Sequence, residues 1–207
     1  MIDSVRGTLL HAEPRLAVVE CGGVGFACSI TMNTARELPA QGEEVRLYTV
    51  LNVREDAMEL FGFAEQTERR CFQQLTSVTG VGPKAALAIL SELPPERLAL
   101  AIASGDHKAL TRAQGVGPKL AQRVVLELKD KIGKAAGDVS AMPQAAGVAS
   151  AAGGAASAAG GAAEAVNALT VLGFSASEAS AAVGRLDSTL PVNELVRQAL
   201  KTLARKG

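Results

Sequence analysis

The chain has 207 residues, no Trp and one Tyr, and its 21 Lys and Arg residues balance its 21 Asp and Glu residues. A chain of this length accommodates two or three small domains, and the scarcity of aromatic residues argues against a stacking platform for unpaired bases. No run of 18 apolar residues lacks charges or clustered glycines, and the N-terminus has no signal-peptide pattern, so we expect neither a membrane-spanning helix nor secretion.

The neutral total conceals a basic central segment. Residues 1–63 contain 5 Lys or Arg against 9 Asp or Glu, whereas residues 64–134 contain 11 against 7, so the local balances are −4 and +4. A neutral chain with a basic segment can bind nucleic acid, because the local field depends on how the charges cluster. An ordinary solvated surface would give the same counts, so charge alone leaves both interpretations open.

Residues 1–63 have the composition of β-structure. Five short runs are rich in β-branched and aromatic residues, and Gly22-Gly23 and the polar stretch 41–44 separate some of them. This spacing predicts a small OB-type β-barrel, with a sandwich of similar size as the alternative. The predicted strands are Val5–Leu10, Leu16–Val19, Val24–Ile30, Val45–Val53 and Met58–Phe63.

An acidic pair lies between the last two predicted strands. Arg54, Glu55, Asp56 and Ala57 form the expected hairpin tip. Adjacent carboxylates at a tip can be metal ligands, a catalytic pair or solvated turn residues. A two-metal nuclease would need further acidic residues converging on the pair, and the sequence has none at recognisable spacing. The residues alone leave this pair open between a functional role and turn solubility.

Helical spacing begins near Glu65, and an internal repeat lies within the helical segment. Residues 75–93 align with residues 110–128 with 10 identities in 19 positions. Each copy contains Gly-Val-Gly-Pro-Lys between two predicted helices, and the proline falls at the first helical position, where its missing N–H costs nothing. This is the helix-hairpin-helix pattern, and its doubling predicts a tandem domain over 64–134. The predicted helices are 65–78, 83–92, 95–103, 106–113 and 118–133.

The chemistry of the repeated turn favours anion binding. Glycines allow positive φ and close approach of a ligand to the backbone, and the N–H groups at the start of the next helix attract an anion. A lysine one step further adds charge, so the turns would grip DNA phosphates without reading bases. A turn that merely lets two helices cross is the structural alternative. The predicted phosphate-binding residues are Gly80, Val81, Gly82, Lys84, Gly115, Val116, Gly117, Lys119 and Arg123, with the valines packing inward, whereas Lys108 and Arg112 are equally compatible with a solvated face.

The last third of the chain divides into a tether and a helical domain. Residues 135–161 are mostly Ala, Gly and Ser, with Asp138 as the only charge. Such a segment can bury too little apolar surface to offset the loss of chain entropy on folding, so we expect a flexible linker. Residues 162–207 predict a compact domain of three short helices at 163–173, 175–186 and 191–204, with Ser175 and Ser177 suited to a cap. Its candidate core residues are Leu169, Leu172, Phe174, Val183, Leu186, Leu195 and Leu203.

The cysteines indicate neither a disulfide framework nor a zinc site. Cys21, Cys28 and Cys71 are an odd number without a C-x-x-C pair, and His11 and His107 are not at ligand spacing. We therefore expect buried or half-buried thiols in a reducing cytoplasm, with no metal and no cofactor.

The order of these parts resembles the RuvA family of Holliday junction branch migration subunits. The resemblance rests on the sequence Arg-Glu-Asp-Ala-Met-Glu-Leu-Phe-Gly-Phe at 54–63, the twin Gly-Val-Gly-Pro-Lys hairpins and the three-helix tail, and it covers the chain except for the tether. It implies a multidomain α+β fold with an OB-type barrel, a tandem helix-hairpin-helix domain, a flexible linker and a UBA-like three-helix domain. It also implies a homotetramer that holds an open, square-planar four-way junction during homologous recombination and DNA repair.

The same resemblance implies roles for the remaining parts. Glu55 and Asp56 would form an acidic pin that repels phosphates at the crossover and guides the strands apart, with Arg54 beside it. Residues 162–207 would bind RuvB, the hexameric ATP-driven motor, and a RuvC-type resolvase is a further implied partner. The sequence contains no G-x-x-x-x-G-K-[ST] P-loop, so ATP hydrolysis would belong to the motor and this chain would be non-catalytic.

Two other classes of protein use similar parts. A structure-specific nuclease, ligase or glycosylase can carry helix-hairpin-helix accessories, but the sequence lacks a carboxylate cluster, a nucleotide-binding lysine motif or a cluster-binding cysteine set. A scaffold whose helical tail is its main binding site, with purely structural hairpins, is the second alternative. Preference for a four-way junction over linear duplex would separate a junction-binding protein from such a scaffold.

Overall fold

The computed structural model of the chain describes residues 2–137, 158–187 and 190–204. The chain divides into two compact units, of which the first contains residues 1–95 and 108–121 and the second contains residues 96–107 and 122–207. None of the described helices is long and apolar enough to cross a membrane.

Five strands of the first unit close into a barrel in the order β1-β2-β3-β5-β4, which confirms the predicted OB-type barrel. Neighbouring strands are antiparallel, apart from the parallel pair β3 and β5. Alternate side chains along a strand point to opposite faces, so the barrel interior collects every second apolar residue. The strands are β1 (Ser4–Glu13), β2 (Leu16–Cys21), β3 (Val24–Ile30), β4 (Glu44–Val53) and β5 (Met58–Phe63).

The barrel contains a short helix that is not among the elements predicted from the sequence. Helix α1 (Met32–Glu37) connects β3 to β4, and the hydroxyl of Thr31 caps it by accepting a hydrogen bond from the Thr34 amide at 3.0 Å. Six residues without a marked apolar period give too weak a signal for prediction, whereas the cap residue is a typical N-terminal signal.

Helix α2 (Gln66–Thr76) joins the barrel through an aromatic cluster and a buried carboxylate. The ring of Phe72 lies 5.0 Å from the rings of both Phe61 and Phe63. The hydroxyls of Thr31 and Thr34 each donate a hydrogen bond of 2.6 Å to the carboxylate of Glu68, which is 4% exposed. Burial raises the pKa of the Glu68 carboxyl, and the two hydroxyl donors only partly oppose that shift.

The remaining helices before residue 138 supply the predicted hairpins. Helix α3 (Pro83–Glu92) follows α2, and α4 (Pro95–Ser104), α5 (His107–Leu110) and α6 (Pro118–Gly137) come next. The buried side chains of α3 and α6 recur at helical spacing, so one face of each helix points into protein. These residues are Ala86, Ile89 and Leu90 in α3, and Ala121, Val124, Val125 and Leu128 in α6.

The C-terminal helices pack against one another. Helices α7 (Ala158–Val171), α8 (Ala176–Val183) and α9 (Val192–Ala204) each contact the other two. Of the candidate core residues, Leu169, Leu172, Val183 and Leu195 are buried, and Phe174, Leu186 and Leu203 are half-buried.

The predicted start of the second helix of this group is confirmed, because Ser175 caps α8. Its hydroxyl accepts from the Glu178 amide at 3.3 Å, and the Glu178 carboxylate accepts from the Ser175 amide at 3.0 Å. This reciprocal arrangement is a capping box.

The predicted linker at 135–161 falls largely outside the described residues. Helix α6 continues through residue 137, and helix α7 begins at residue 158. The predicted linker is therefore wrong at its two ends, since residues 135–137 and 158–161 are helical. Residues 138–157 lie outside the part of the chain that the structure describes, and for them the flexible linker stays a prediction.

All three cysteines carry free thiols. Cys28 and Cys71 are buried and Cys21 is half-buried, as expected from the sequence. Burial raises the pKa of the Cys28 thiol to about 12, so this thiol is protonated and unreactive at neutral pH.

Candidate nucleic-acid interface

The two glycine turns have the same backbone hydrogen bonds, 35 residues apart. In the first turn, Val78 N donates to Leu75 O at 3.1 Å, Val81 N donates to Val78 O at 3.0 Å, and Ala86 N donates to Gly82 O at 3.0 Å. In the second turn, the corresponding three bonds measure 3.2, 3.1 and 2.9 Å. They join Ala113 N to Leu110 O, Val116 N to Ala113 O and Ala121 N to Gly117 O. The repeat in the sequence is therefore a repeat in backbone geometry.

The first glycine of each turn is required by the backbone itself. Gly80 has φ +92° and Gly115 has φ +81°. These values lie in the left-handed region, which residues with a Cβ rarely adopt. Any other residue at these positions would strain the turn, so these two glycines serve the fold whatever the turns bind.

The second glycine of each turn is not required by the surrounding protein. Gly82 has φ −81° and ψ 166°, an extended conformation open to any residue. A Cβ built on Gly82 or Gly117 would meet no atom within 4 Å among the described residues. Each glycine precedes a proline at the start of a helix, so its missing side chain exposes the backbone at a helix N-terminus. This open space is suited to a ligand that approaches the backbone closely.

The central valines hold the turns in place. Val81 is 6% exposed and Val116 is 5% exposed, and both amides donate within their own turns. The first helical amides of α3, those of Lys84 and Ala85, have no acceptor among the described residues, as helix geometry requires. The valines therefore stabilise the turn by packing, and the amides of the helix start are the available donors.

Three of the predicted basic residues are exposed, with different surroundings. Lys84 and Lys119 have no ion-pair partner among the described residues. Arg123, which belongs to the second unit, donates through Nε to Glu127 Oε1 at 2.9 Å and keeps a side chain that is 53% exposed. Arg112 and Lys108 are exposed as well. Unlike Arg123, Lys84 and Lys119 therefore present charges that no carboxylate of the described residues compensates.

The two turns lie in the same compact unit and approach each other. A Cβ built on Gly80 would lie 3.6 Å from Leu120 Cδ1, in the first turn of α6. The first hairpin turn and the helix start of the second hairpin are therefore neighbours. Two neighbouring helix starts, each with free amide donors, are suited in principle to two anionic groups of one ligand.

The acidic pair occupies the tip of the β4–β5 hairpin. Arg54 N donates to Ala57 O at 2.8 Å, which closes the turn. Glu55 and Asp56 are exposed and have no ion-pair or hydrogen-bond partner within the described part of the chain. Arg54 is paired with Glu59 instead, so the tip presents two uncompensated negative charges.

The metal-site interpretation of this tip finds no support in its surroundings. Across the described residues, no group of three or more His, Cys, Asp or Glu side chains is placed to hold a metal ion.

The barrel and the paired turns define the class of the protein, which is a DNA-binding protein with an OB-type barrel and a tandem helix-hairpin-helix region. The family described as "RuvA N terminal domain" matches residues 1–62, "SAM-like Helix-hairpin-helix tandem" matches residues 72–130, and "RuvA, C-terminal domain" matches residues 161–204.

Curated relatives match along nearly the whole chain. The Holliday junction branch migration complex subunit RuvA of Symbiobacterium thermophilum is 45% identical over 209 residues, covering 99% of this chain and 100% of the relative. The protein of the same name from Desulforamulus reducens is 42% identical, covering 99% and 98%. That from Acidobacterium capsulatum is 46% identical over 157 residues, covering 73% and 79%. The chain belongs to the RuvA family of Holliday junction branch migration complex subunits.

Proposed function

We propose that this chain binds four-way DNA junctions in an open, planar form and loads and stimulates the RuvB motor for branch migration. The observation that carries the proposal is the pair of turns with matching hydrogen bonds, whose second glycines face open space. Membership of the family supplies the context, since the relatives are named as subunits of a Holliday junction branch migration complex.

The turns grip the duplex arms through their phosphates. Exposed amides at the starts of α3 and α6 donate to phosphate oxygens, and Lys84 and Lys119 add positive charge beside them. Such contacts hold the backbone without reading bases, so binding depends on shape and falls steeply with salt. A grip without base readout lets the junction slide, which branch migration requires.

The acidic pin, Glu55 and Asp56, works against this attraction at the crossover. Its two uncompensated carboxylates repel the phosphates of the exchanging strands. Attraction at the hairpins and repulsion at the pin together keep the junction open, and Arg54 contacts DNA beside the pin. A homotetramer would place four pins around one crossover, matching the symmetry of four arms.

The C-terminal domain is the contact for the motor. Helices α7 and α8 border an open groove of about 550 Å³, whose mostly apolar lining, with Asn167 and Ser180 as polar groups, suits a partner's side chain. The sequence has no P-loop, so we assign ATP hydrolysis to RuvB and none to this chain. The linker predicted from the sequence would let this domain follow a moving partner, and a RuvC-type resolvase shares the junction.

The test is a binding titration of the full chain with a synthetic four-way junction and with a linear duplex of the same length. Replacing both exposed lysines, Lys84→Glu and Lys119→Glu, removes two charge-assisted contacts and should weaken junction binding about 100-fold or more. Lys201→Glu, at an exposed lysine of α9, makes half of this change in net charge and is the control; it should retain wild-type affinity.

Three outcomes contradict the proposal. Equal affinity of the wild type for junction and duplex would favour the scaffold alternative. Unchanged affinity of the double variant would show that the hairpin lysines do not contribute to DNA binding. A comparable loss of affinity in the Lys201 control would show that the effect depends only on net charge. Circular dichroism of each variant checks that the fold is retained.

A further inference from the structure

A groove lies between the first hairpin and the barrel. It has a volume of about 340 Å³ and lies between α3, the turn that joins β1 to β2, and the end of strand β3, all in the same compact unit. Arg15, in the turn between β1 and β2, forms one wall, and the backbone of that turn is fixed by a hydrogen bond of 3.1 Å from Ile30 N to Arg15 O. The lining residues are Arg15, Ser29, Ile30, Lys84, Leu87, Ala88 and Ser91.

The groove is lined by two cations, Arg15 and Lys84, and by two hydroxyls, those of Ser29 and Ser91. The Ser91 hydroxyl is occupied, since it donates to Leu87 O at 2.8 Å and accepts from Met32 N at 3.1 Å. The side chains of Arg15, Lys84 and Ser29 have no hydrogen-bond partner among the residues that the structure describes. An anion in this groove would therefore meet three side-chain donors that have no other partner among the described residues.

Arg15 differs in this respect from other arginines of the barrel. Arg6 pairs with Glu44 at 2.8 Å, Arg54 pairs with Glu59, and the Arg46 guanidinium lies 5.0 Å from the centre of the Tyr48 ring. A cation without a carboxylate, next to a second such cation, raises the local positive potential and attracts a diffusible or polymeric anion.

The repeat gives Arg15 a counterpart in the second hairpin. The groove-lining positions of α3 are Lys84, Leu87, Ala88 and Ser91, and the 35-residue offset aligns them with Lys119, Gln122, Arg123 and Leu126 of α6. The second helix thus carries a second cation one turn after its lysine, at the position where α3 has an alanine. In the first hairpin, Arg15 from the barrel supplies the second cation in the groove beside that alanine.

We infer that Arg15 is a further phosphate-binding residue, which supplies beside Lys84 the second cation that the second copy of the repeat carries in its own sequence as Arg123. The ligand is a phosphodiester of the duplex arm held by the first hairpin, contacted by Arg15 and Lys84 together, with Ser29 as an additional donor. This inference rests on the proposed function, because it extends the same DNA-binding surface onto the barrel.

The test compares Arg15→Gln with Lys84→Gln and with a matched control in the full chain. Arg36→Gln removes the same charge from an exposed position in α1 that does not line the groove. Affinity for a synthetic four-way junction is measured by fluorescence anisotropy at several salt concentrations. We expect Arg15→Gln to weaken binding on the order of tenfold for each protomer that contacts the junction, the effect of one charge-assisted hydrogen bond. The slope of log affinity against log salt should become shallower by about 0.9 for each bound protomer.

The variants separate this inference from the proposed function. Wild-type affinity and slope for Arg15→Gln, with a clear loss for Lys84→Gln, would overturn the role of Arg15 and leave the hairpins in place. No loss in either variant would overturn the hairpin assignment itself. An equal loss in Arg36→Gln would show that only total charge matters and would also overturn the inference.

A rescue experiment tests the equivalence with the second hairpin. Ala88 is half-buried at the groove wall, so Ala88→Arg in the Arg15→Gln background restores a cation at the position that Arg123 occupies in the repeat. We expect recovery of most of the lost affinity and of the salt slope. If affinity and slope stay at the Arg15→Gln values, Arg15 and Arg123 do not have equivalent roles.

Discussion

Replacing the second glycine of each turn separates folding from DNA binding. In the variant Gly82→Ala with Gly117→Ala, each new methyl group enters space that holds no described protein atom within 4 Å. Gly82 has an extended backbone that alanine adopts readily, and residues before proline favour this conformation. The substitutions therefore create no clash inside the protein.

The expected effect on stability is small. Alanine restricts the unfolded chain and stabilises the protein by about 0.4–1 kcal/mol per site. Alanine is a poorer N-cap residue than glycine, and that loss is about 0.5–1 kcal/mol. The two contributions nearly cancel, so the free energy of unfolding should stay within about 1 kcal/mol of the wild type. By contrast, Gly80→Ala at φ +92° should lose about 1–3 kcal/mol through backbone strain.

The expected effect on DNA binding is large. A methyl group at each helix start keeps the phosphate away from the exposed amides, and each lost charge-assisted hydrogen bond costs about 1.5–3 kcal/mol. Two such losses correspond to a reduction in junction affinity of about 100-fold or more. The assays are urea denaturation followed by circular dichroism, and fluorescence anisotropy with a labelled four-way junction.

Wild-type affinity in the stable double alanine variant would refute the reasoning, because no phosphate could then approach these glycines closely. A loss of stability comparable to that of Gly80→Ala would refute the structural premise that the space beside Gly82 is open.

Three further predictions concern the pin, the C-terminal domain and the buried carboxylate. Changing Glu55 and Asp56 to Lys should preserve or tighten junction binding and alter RuvB-driven branch migration, and an unchanged migration rate would exclude the pin from the mechanism. Deleting residues 162–207 should leave junction affinity intact and abolish stimulation of the motor ATPase, whereas loss of DNA binding would contradict this division of roles. The raised pKa of Glu68 means that the folded state holds this proton more tightly than the unfolded state, so the associated stability is present below pH 4.5 and is lost as pH rises through the folded pKa. Glu68→Gln should therefore gain stability relative to the wild type between pH 4.5 and neutral pH in denaturation experiments, and a pH-independent difference would refute that assignment.

The repeated hairpins could be predicted from sequence because their determinants are local. A glycine that needs positive φ, a proline at the first helical position and a buried valine all act within a few residues. The 35-residue repeat doubled this signal, and the matching hydrogen bonds of the two turns confirm it. The strands were predictable for the same reason, since alternation and turn residues identify a strand without knowledge of its partner.

The roles within each turn were only partly predictable. From the sequence, all four glycines were predicted to bind phosphate. In the structure, Gly80 and Gly115 are needed for the backbone conformation, whereas Gly82 and Gly117 face open space. The difference lies in φ and in the surrounding atoms, neither of which the residue type reveals.

By itself, the sequence determined the order of the parts, the two glycine turns, the acidic hairpin tip and the absence of a P-loop, because each depends on neighbours in the chain. Only the tertiary structure decided how the barrel closes through the parallel pair β3 and β5, that Glu68 binds Thr31 and Thr34, and that Arg15 faces Lys84 across a groove. These contacts join residues between about 30 and 70 positions apart. The physical reason is that such pairings are selected by the packing of the whole core, for which no short stretch of sequence carries a signal.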